Sequence, residues 1–309
     1  MELDTNIRNA EIRKGTRLAF IFILMVMGLS QILSAVLSLS TQAAQMIGLT
    51  GGALIALLGS CAPEKGTLLK SENEMTGTAF VVVLGAFMLG KLLSLIPSAF
   101  ILKLASAGGS PEALEGLTSV EDDLLISFLS LGLVTPVCEE IVFRGCIGRS
   151  FMKYGVWFAM IMSTVLFALY HCNAFQLIST FLPGLVLFYV AMNYSLKWSI
   201  LLHFINNGVM TIGFTLLKKL RPDSLFSNYG EYAVEILLII AALALMKKDR
   251  AAEKVKVFLR EPKNETGVYR AAMANIWFIL ILLFVASVTA LMFMMLSGTV
   301  QPGAMTAGA

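Results

Sequence analysis

Charge is scarce in this 309-residue chain. Asp, Glu, Lys and Arg make up only 14% of it against 57% apolar residues, and the mean hydropathy is +0.81. A soluble domain of this length could not cover its surface with so few charges, so an ordinary globular class is excluded. No long stretch alternates polar and apolar residues, which excludes a membrane barrel and leaves helices that satisfy their own backbone. Cysteine is limited to Cys61, Cys138, Cys146 and Cys172, with no CxxC pair. A disulfide scaffold and a zinc knuckle are therefore excluded, and the four read as small buried thiols. Fixed-period repeats, lipidation boxes and nucleic-acid motifs are also missing, so no nucleic-acid partner is expected. Histidine occurs only twice, at His171 and His203.

What is present is a series of apolar runs, most of them about 20 residues long, enough to cross roughly 30 Å of hydrocarbon as helix. They lie near residues 17–38, 42–62, 77–102, 122–150, 156–172, 174–193, 196–217, 231–246 and 271–297. The expected fold is all-α, a polytopic membrane helical bundle of about eight to nine transmembrane helices forming one domain over residues 1–309. The first run follows a polar arm and lacks a small-residue cleavage pattern, so it reads as a retained anchor. With the N-terminus inside, inner segments carry 17 Lys and Arg and outer segments four. That excess favours a cytoplasmic N-terminus. The cluster Lys218, Lys219 and Arg221 then lies outside, as does an acidic loop holding Glu112, Glu115, Glu121, Asp122 and Asp123. The net charge of +3 thus reports topology in a multi-pass protein of the lipid bilayer, the plasma membrane if the source is prokaryotic.

The segment 247–270 reads as a cytoplasmic basic loop. It fits an amphipathic helix resting Val255, Val257, Phe258 and Leu259 on the lipid interface, and equally a solvated linker. Residues 271–297 form an additional C-terminal span, and the tail from Ser297 is short and small-residued.

Ionisable groups inside a span cost a few kcal/mol, so they face a cavity and a partner. The fourth span carries Glu139, Glu140 and Arg144, the fifth His171, and the seventh His203 and Asn207. Residues four apart share a helical face, so Glu140 pairs with Arg144, while Glu139 points about 100° away. Glu139 is then the candidate general base, able to take a proton from water and return it to a leaving amine. Glu139 and His171 are each 16 residues from Gly155, where the fourth and fifth spans turn, so they lie level and can hold one water. Phe167, one turn before His171 on the same face, is read as packing that fixes its ring, with a wall of the substrate pocket as the alternative. His203 and Asn207 share a face and can donate to an oxyanion; helix-to-helix bridging is their other use. Asn206 is read as structural. His203 is only seven residues from the start of its span, a depth that does not match Glu139.

Glu139, His171 and His203 are also zinc-ligand types, but no H-E-x-x-H pair exists. Water activated by carboxylate without a metal or other cofactor is the preferred reading, with zinc on those three residues as the alternative. Lys91 fits either a cavity-facing partner for a carboxylate or a structural residue near a break before Pro97, and the structural role is preferred. Pro183 with Gly184 is expected to kink the sixth span and loosen it for substrate arriving from the lipid.

These residues spell Glu139-Glu140-Ile-Val-Phe-Arg144, Phe167-Ala-Leu-Tyr-His171 and His203-Phe-Ile-Asn-Asn207. The ordered set EExxxR, FxxxH and HxxxN resembles the CPBP family of intramembrane proteases, also called the Abi or type II CAAX prenyl endopeptidase-like family. The resemblance covers about residues 120–210. It implies a glutamate-dependent peptidase of mostly eight helices, in which Glu139 and His171 activate water and His203 and Asn207 form the oxyanion site. Glu140, Arg144 and Phe167 support them. The substrate implied is a membrane-embedded or lipidated peptide or protein. Two other functions fit intramembrane Glu and His: a non-catalytic membrane partner or immunity-type protein, and a proton-coupled transporter, although no inverted repeat is visible.

Overall fold

The computed structural model describes residues 2–59, 68–69, 73–106, 123–260 and 264–296. The acidic residues Glu112 to Asp122, Cys61, Lys65, Lys70 and the tail from Ser297 lie outside them. Among the described residues there are helices and no strands. Eight helices are long and apolar enough to cross a membrane: α1 Thr5–Leu37, α2 Thr41–Leu58, α3 Gly77–Ile101, α4 Leu124–Met152, α6 Gln176–Asn193, α7 Leu196–Leu220, α8 Leu225–Asp249 and α11 Ile276–Met294. Between α4 and α6 lies α5, Val156–Tyr170, and between α8 and α11 lie the short α9, Ala251–Phe258, and α10, Val268–Met273. The all-α polytopic bundle expected from composition is what the chain forms.

Local chemistry explains where the helices begin. Ser40 caps α2 by accepting from the Ala43 amide, Asp123 caps α4 through the Leu125 and Ile126 amides, and Asn173 caps α6 through the Gln176 amide. Each satisfies an amide that has no partner within its helix. Gly155 turns α4 into α5 at φ +131, where a Cβ would stand 2.2 Å from the Asn264 side-chain oxygen. Only glycine fits that turn. The polar arm expected before the first span is itself helical from Glu2, continuous with α1.

The central helix is α5. Its 15 residues rise only about 22 Å, too short for a lipid-facing span. α1, α4, α6, α10 and α11 pack against it, and Phe158, Met162 and Leu166 have almost no exposure. In lipid, such packing depends on close contact rather than on removal from water. Ring pairs supply part of it: Phe143 meets Phe22 edge-on at 5.7 Å and Phe167 at 5.5 Å.

The basic segment 247–270 holds a helix, as one of its two readings had it. Phe258 and Leu259 of this segment pack on the core, with the Phe258 ring 5.1 Å from Tyr189, whereas Val255 and Val257 are exposed. Nearby, the Glu265 amide donates to Tyr154 O and Asn264 accepts from the Phe158 amide, so this segment clasps the α4–α5 turn.

Candidate active site

Three helices carry the site, and in two of them the backbone is widened. Residues Glu140–Gly148 of α4 and Ile205–Ile212 of α7 are π-helical, so the α-helical 100° spacing does not hold through these stretches. Such widened turns occur often at functional sites, because they re-aim side chains at modest backbone cost.

Glu140 and Arg144 form the expected pair, 2.9 Å apart and both without exposure. Arg144 also donates to Gly184 O at 3.2 Å, and its guanidinium stacks 4.0 Å from the centre of the Phe167 ring. Two acceptors and a ring face hold this cation in a dry interior, as a planar guanidinium allows and an ammonium does not. The second Glu140 oxygen lies 2.5 Å from Ser199 Oγ, and His203 Nδ1 lies 3.1 Å from the first. Ser199 was not picked out in the sequence because a serine in an apolar run carries no signal by itself.

Glu139 is almost fully buried, and its Oε2 has no hydrogen-bond partner. His203 Nε2 stands 3.7 Å from that oxygen, beyond a direct hydrogen bond. The Tyr170 phenol is the other polar neighbour of this carboxylate. His171 Nδ1 lies 2.9 Å from Phe167 O. A carbonyl can only accept, so Nδ1 carries the proton and Nε2 presents a lone pair. Phe167 stands between the two imidazoles, edge-on to His171 at 5.0 Å and to His203 at 6.0 Å.

Glu139, His171, His203 and Asn207 all line one cavity of about 500 Å³. Glu139 and His171, read from the hairpin as a level pair, both face it. The imidazole within 4 Å of Glu139 is that of His203. Asn207 donates to Leu131 O at 3.2 Å and accepts from Asn206 at 2.8 Å, and Asn206, read as structural, also lines the cavity.

The depth mismatch of His203 has a structural origin. The turn that starts α7 is itself buried: Tyr194, Ser195 and Leu196 are all nearly unexposed, and Asn73 covers it by donating to Asn193 O. Seven residues from this covered turn bring His203 level with Glu140.

Lys91 also lines this cavity, with its ammonium 2.7 Å from both Glu231 and Glu235. It ties α3 to α8, a triad whose acidic members the sequence reading passed over. Pro183 lines the cavity too, inside a helix that continues through it.

Glu139, His171 and His203, the alternative zinc set, share this cavity. Among the described residues, however, no group of three His, Cys, Asp or Glu has the arrangement to hold a metal ion.

With this geometry in view, residues 121–209 match the family model described as type II CAAX prenyl endopeptidase Rce1-like. This segment is similar to that family. The match contains all three motifs, and at family level it supports a membrane endopeptidase. Together with the eight apolar helices, it marks an integral, multi-pass membrane protein. An Escherichia coli protein described as an uncharacterized 24.3 kDa protein is 29% identical to the chain over 118 residues. That region is 36% of this chain and 49% of the relative, so the chain spans about half the length of the relative it matches. No solved structure matches the chain.

Proposed function

We propose that the chain is an intramembrane endopeptidase that hydrolyses a peptide bond in a membrane-embedded or lipidated substrate, using Glu139 to activate water. The observation that carries this reading is a buried carboxylate with an unpartnered oxygen, Glu139 Oε2, on a cavity shared with His171, His203 and Asn207. A burial this complete is unfavourable for an acid that has no task, and it suits a base that must take a proton. His171 Nε2 offers the second acceptor for the water.

The oxyanion role falls to His203 and Asn207. Because Nδ1 of His203 is turned to Glu140, donation from Nε2 requires both ring nitrogens to carry protons. The two carboxylates at 3.1 and 3.7 Å supply the countercharge. Asn207 keeps one amide hydrogen beyond its bond to Leu131 O. After attack, the proton held by Glu139 passes to the leaving amine, and Glu139 is restored. No metal is required for these steps, so cleavage is expected to survive chelators.

The test is comparison of membrane peptides, by mass spectrometry, from cells making the wild type or Glu139→Gln. A product present only with the wild type is expected, with the variant folded and inserted. Equal product from both would remove the mechanism, and no product from either would favour a non-catalytic partner protein.

A further inference from the structure

At the end of the bundle that holds the N-terminus, a second cavity, of about 370 Å³, opens between α1 and the α10–α11 corner. It is lined by Arg8, Asn9, Arg13, Gly267, Arg270 and Asn275. Arg8 is anchored, donating to Thr266 O at 2.8 Å with Glu265 at 3.6 Å. Arg13 and Arg270 are exposed, and among the described residues neither is paired with a carboxylate. Glu11, on the same helix, is turned away to Lys153 and Tyr154. Asn275 is locked in place, accepting from Thr16 at 3.0 Å and donating to Ala271 and Ala272 carbonyls.

The depth of this pocket is set by its neighbours. The uncharged stretch of α1 starts at Leu18, just past Arg17, and α11 starts at Ile276, next to Asn275. Trp277 meets Phe20 at 5.8 Å one turn further in. A tryptophan at the mouth of two apolar spans marks the headgroup layer. Three guanidinium groups, two of them without a countercharge, thus converge where lipid phosphates lie.

We propose that this pocket is a phosphate-binding site filled by the headgroup of an anionic phospholipid, which bridges α1 to the additional C-terminal span α11. Guanidinium forks match phosphate oxygens in pairs, and basic pockets between helices at the membrane surface suit such headgroups. A zwitterionic choline head would bring its ammonium among the arginines and is disfavoured. Free phosphate shares the recognised chemistry, and the experiment separates the two sources. The inference does not depend on peptidase activity.

The full-length protein is reconstituted in nanodiscs of equal phosphatidylglycerol and phosphatidylcholine, and retained lipid is read by native mass spectrometry. The wild type is expected to retain phosphatidylglycerol preferentially. Arg13→Gln with Arg270→Gln should lower that enrichment by roughly tenfold or more. Lys247→Gln with Lys248→Gln removes equal charge from exposed side chains outside the pocket and should leave it intact. Equal loss in both pairs would reduce the effect to general surface charge and overturn the site. A second arm adds inorganic phosphate to protein in pure phosphatidylcholine discs and follows thermal unfolding. Stabilisation by phosphate that the arginine pair variant loses, without phosphatidylglycerol enrichment, would overturn the lipid as the source. No response to either would overturn the phosphate site itself. Arg270→Gln alone serves should the double variant fail to insert.

Discussion

At the residue scale, the site rests on how charges are held where water cannot reach them. Arg144 is matched on one side by Glu140, on another by the Gly184 carbonyl, and on its face by Phe167. Removing one partner of a buried pair leaves the other uncompensated and costs about 3–5 kcal/mol. Arg144→Leu is therefore expected to destabilise the protein by about that amount, and Glu140→Gln in the same chain should recover a large part of the loss. Thermal unfolding in detergent of the two singles and the double checks this. If the losses simply add, the ion pair is not what holds the site. Tyr170 argues a different point. Its phenol neighbours Glu139 and can donate to that carboxylate, so Tyr170→Phe should leave folding intact and change turnover by about tenfold, a size typical of one hydrogen bond to a charged group. Unchanged turnover against a substrate that requires Glu139 would assign the tyrosine to packing alone.

At the element scale, the clasp between the 264–275 segment and the α4–α5 turn makes the extra C-terminal region part of the site's support. Gly155 sits at φ +131 with Asn264 pressed against it. Gly155→Ala forces a strained backbone and a clash at once, for which a loss of about 1–3 kcal/mol is expected. Asn264→Ala, which removes the acceptor for the Phe158 amide and the contact with the Tyr269 phenol without straining the backbone, should cost about 1 kcal/mol. Unfolding midpoints that rank the two variants in the reverse order would show that the turn tolerates a side chain. The same elements show what was legible in the sequence and what was not. Among the described residues all nine apolar runs are helical, and eight of the helices are long enough to cross hydrocarbon, which is what makes length and hydropathy readable in the sequence. Glu140 beside Arg144 was legible because i, i+4 neighbours survive even in a widened turn. His203 next to Glu139 was not, because the start of α7 is buried and α-helical counting places it at the wrong depth. Ser199, Tyr170 and the Lys91–Glu231–Glu235 triad were missed for another reason: a hydroxyl or charge acquires meaning only from a partner on another helix.

At the scale of the whole molecule, the spans alternate in direction, and the site occupies one half of the bundle. The cavity takes Val26 from the later part of α1, Gln45 from the early part of α2, Leu95 from the later part of α3, Leu131 from the early part of α4 and Gln176 from the start of α6. Each lies remote from the end where Arg8 meets Thr266 and Gly155 meets Asn264. The cavity therefore faces away from the N-terminus. With the N-terminus inside, as the 17 Lys and Arg of the inner segments against four outer ones predict, access to Glu139 would lie on the non-cytoplasmic half of the membrane. In that orientation a substrate anchored by its tail in the cytosolic leaflet would approach the wrong side, whereas a segment leaving the membrane outward would arrive beside Glu139. In a chain cleared of its native cysteines, Gln176→Cys should react with a membrane-impermeant maleimide in intact cells. Lys247→Cys, at the N-terminal end, should react only after the cells are opened. The opposite labelling would invert the topology, bring the cavity to the cytosol, and redirect the search to lipidated tails.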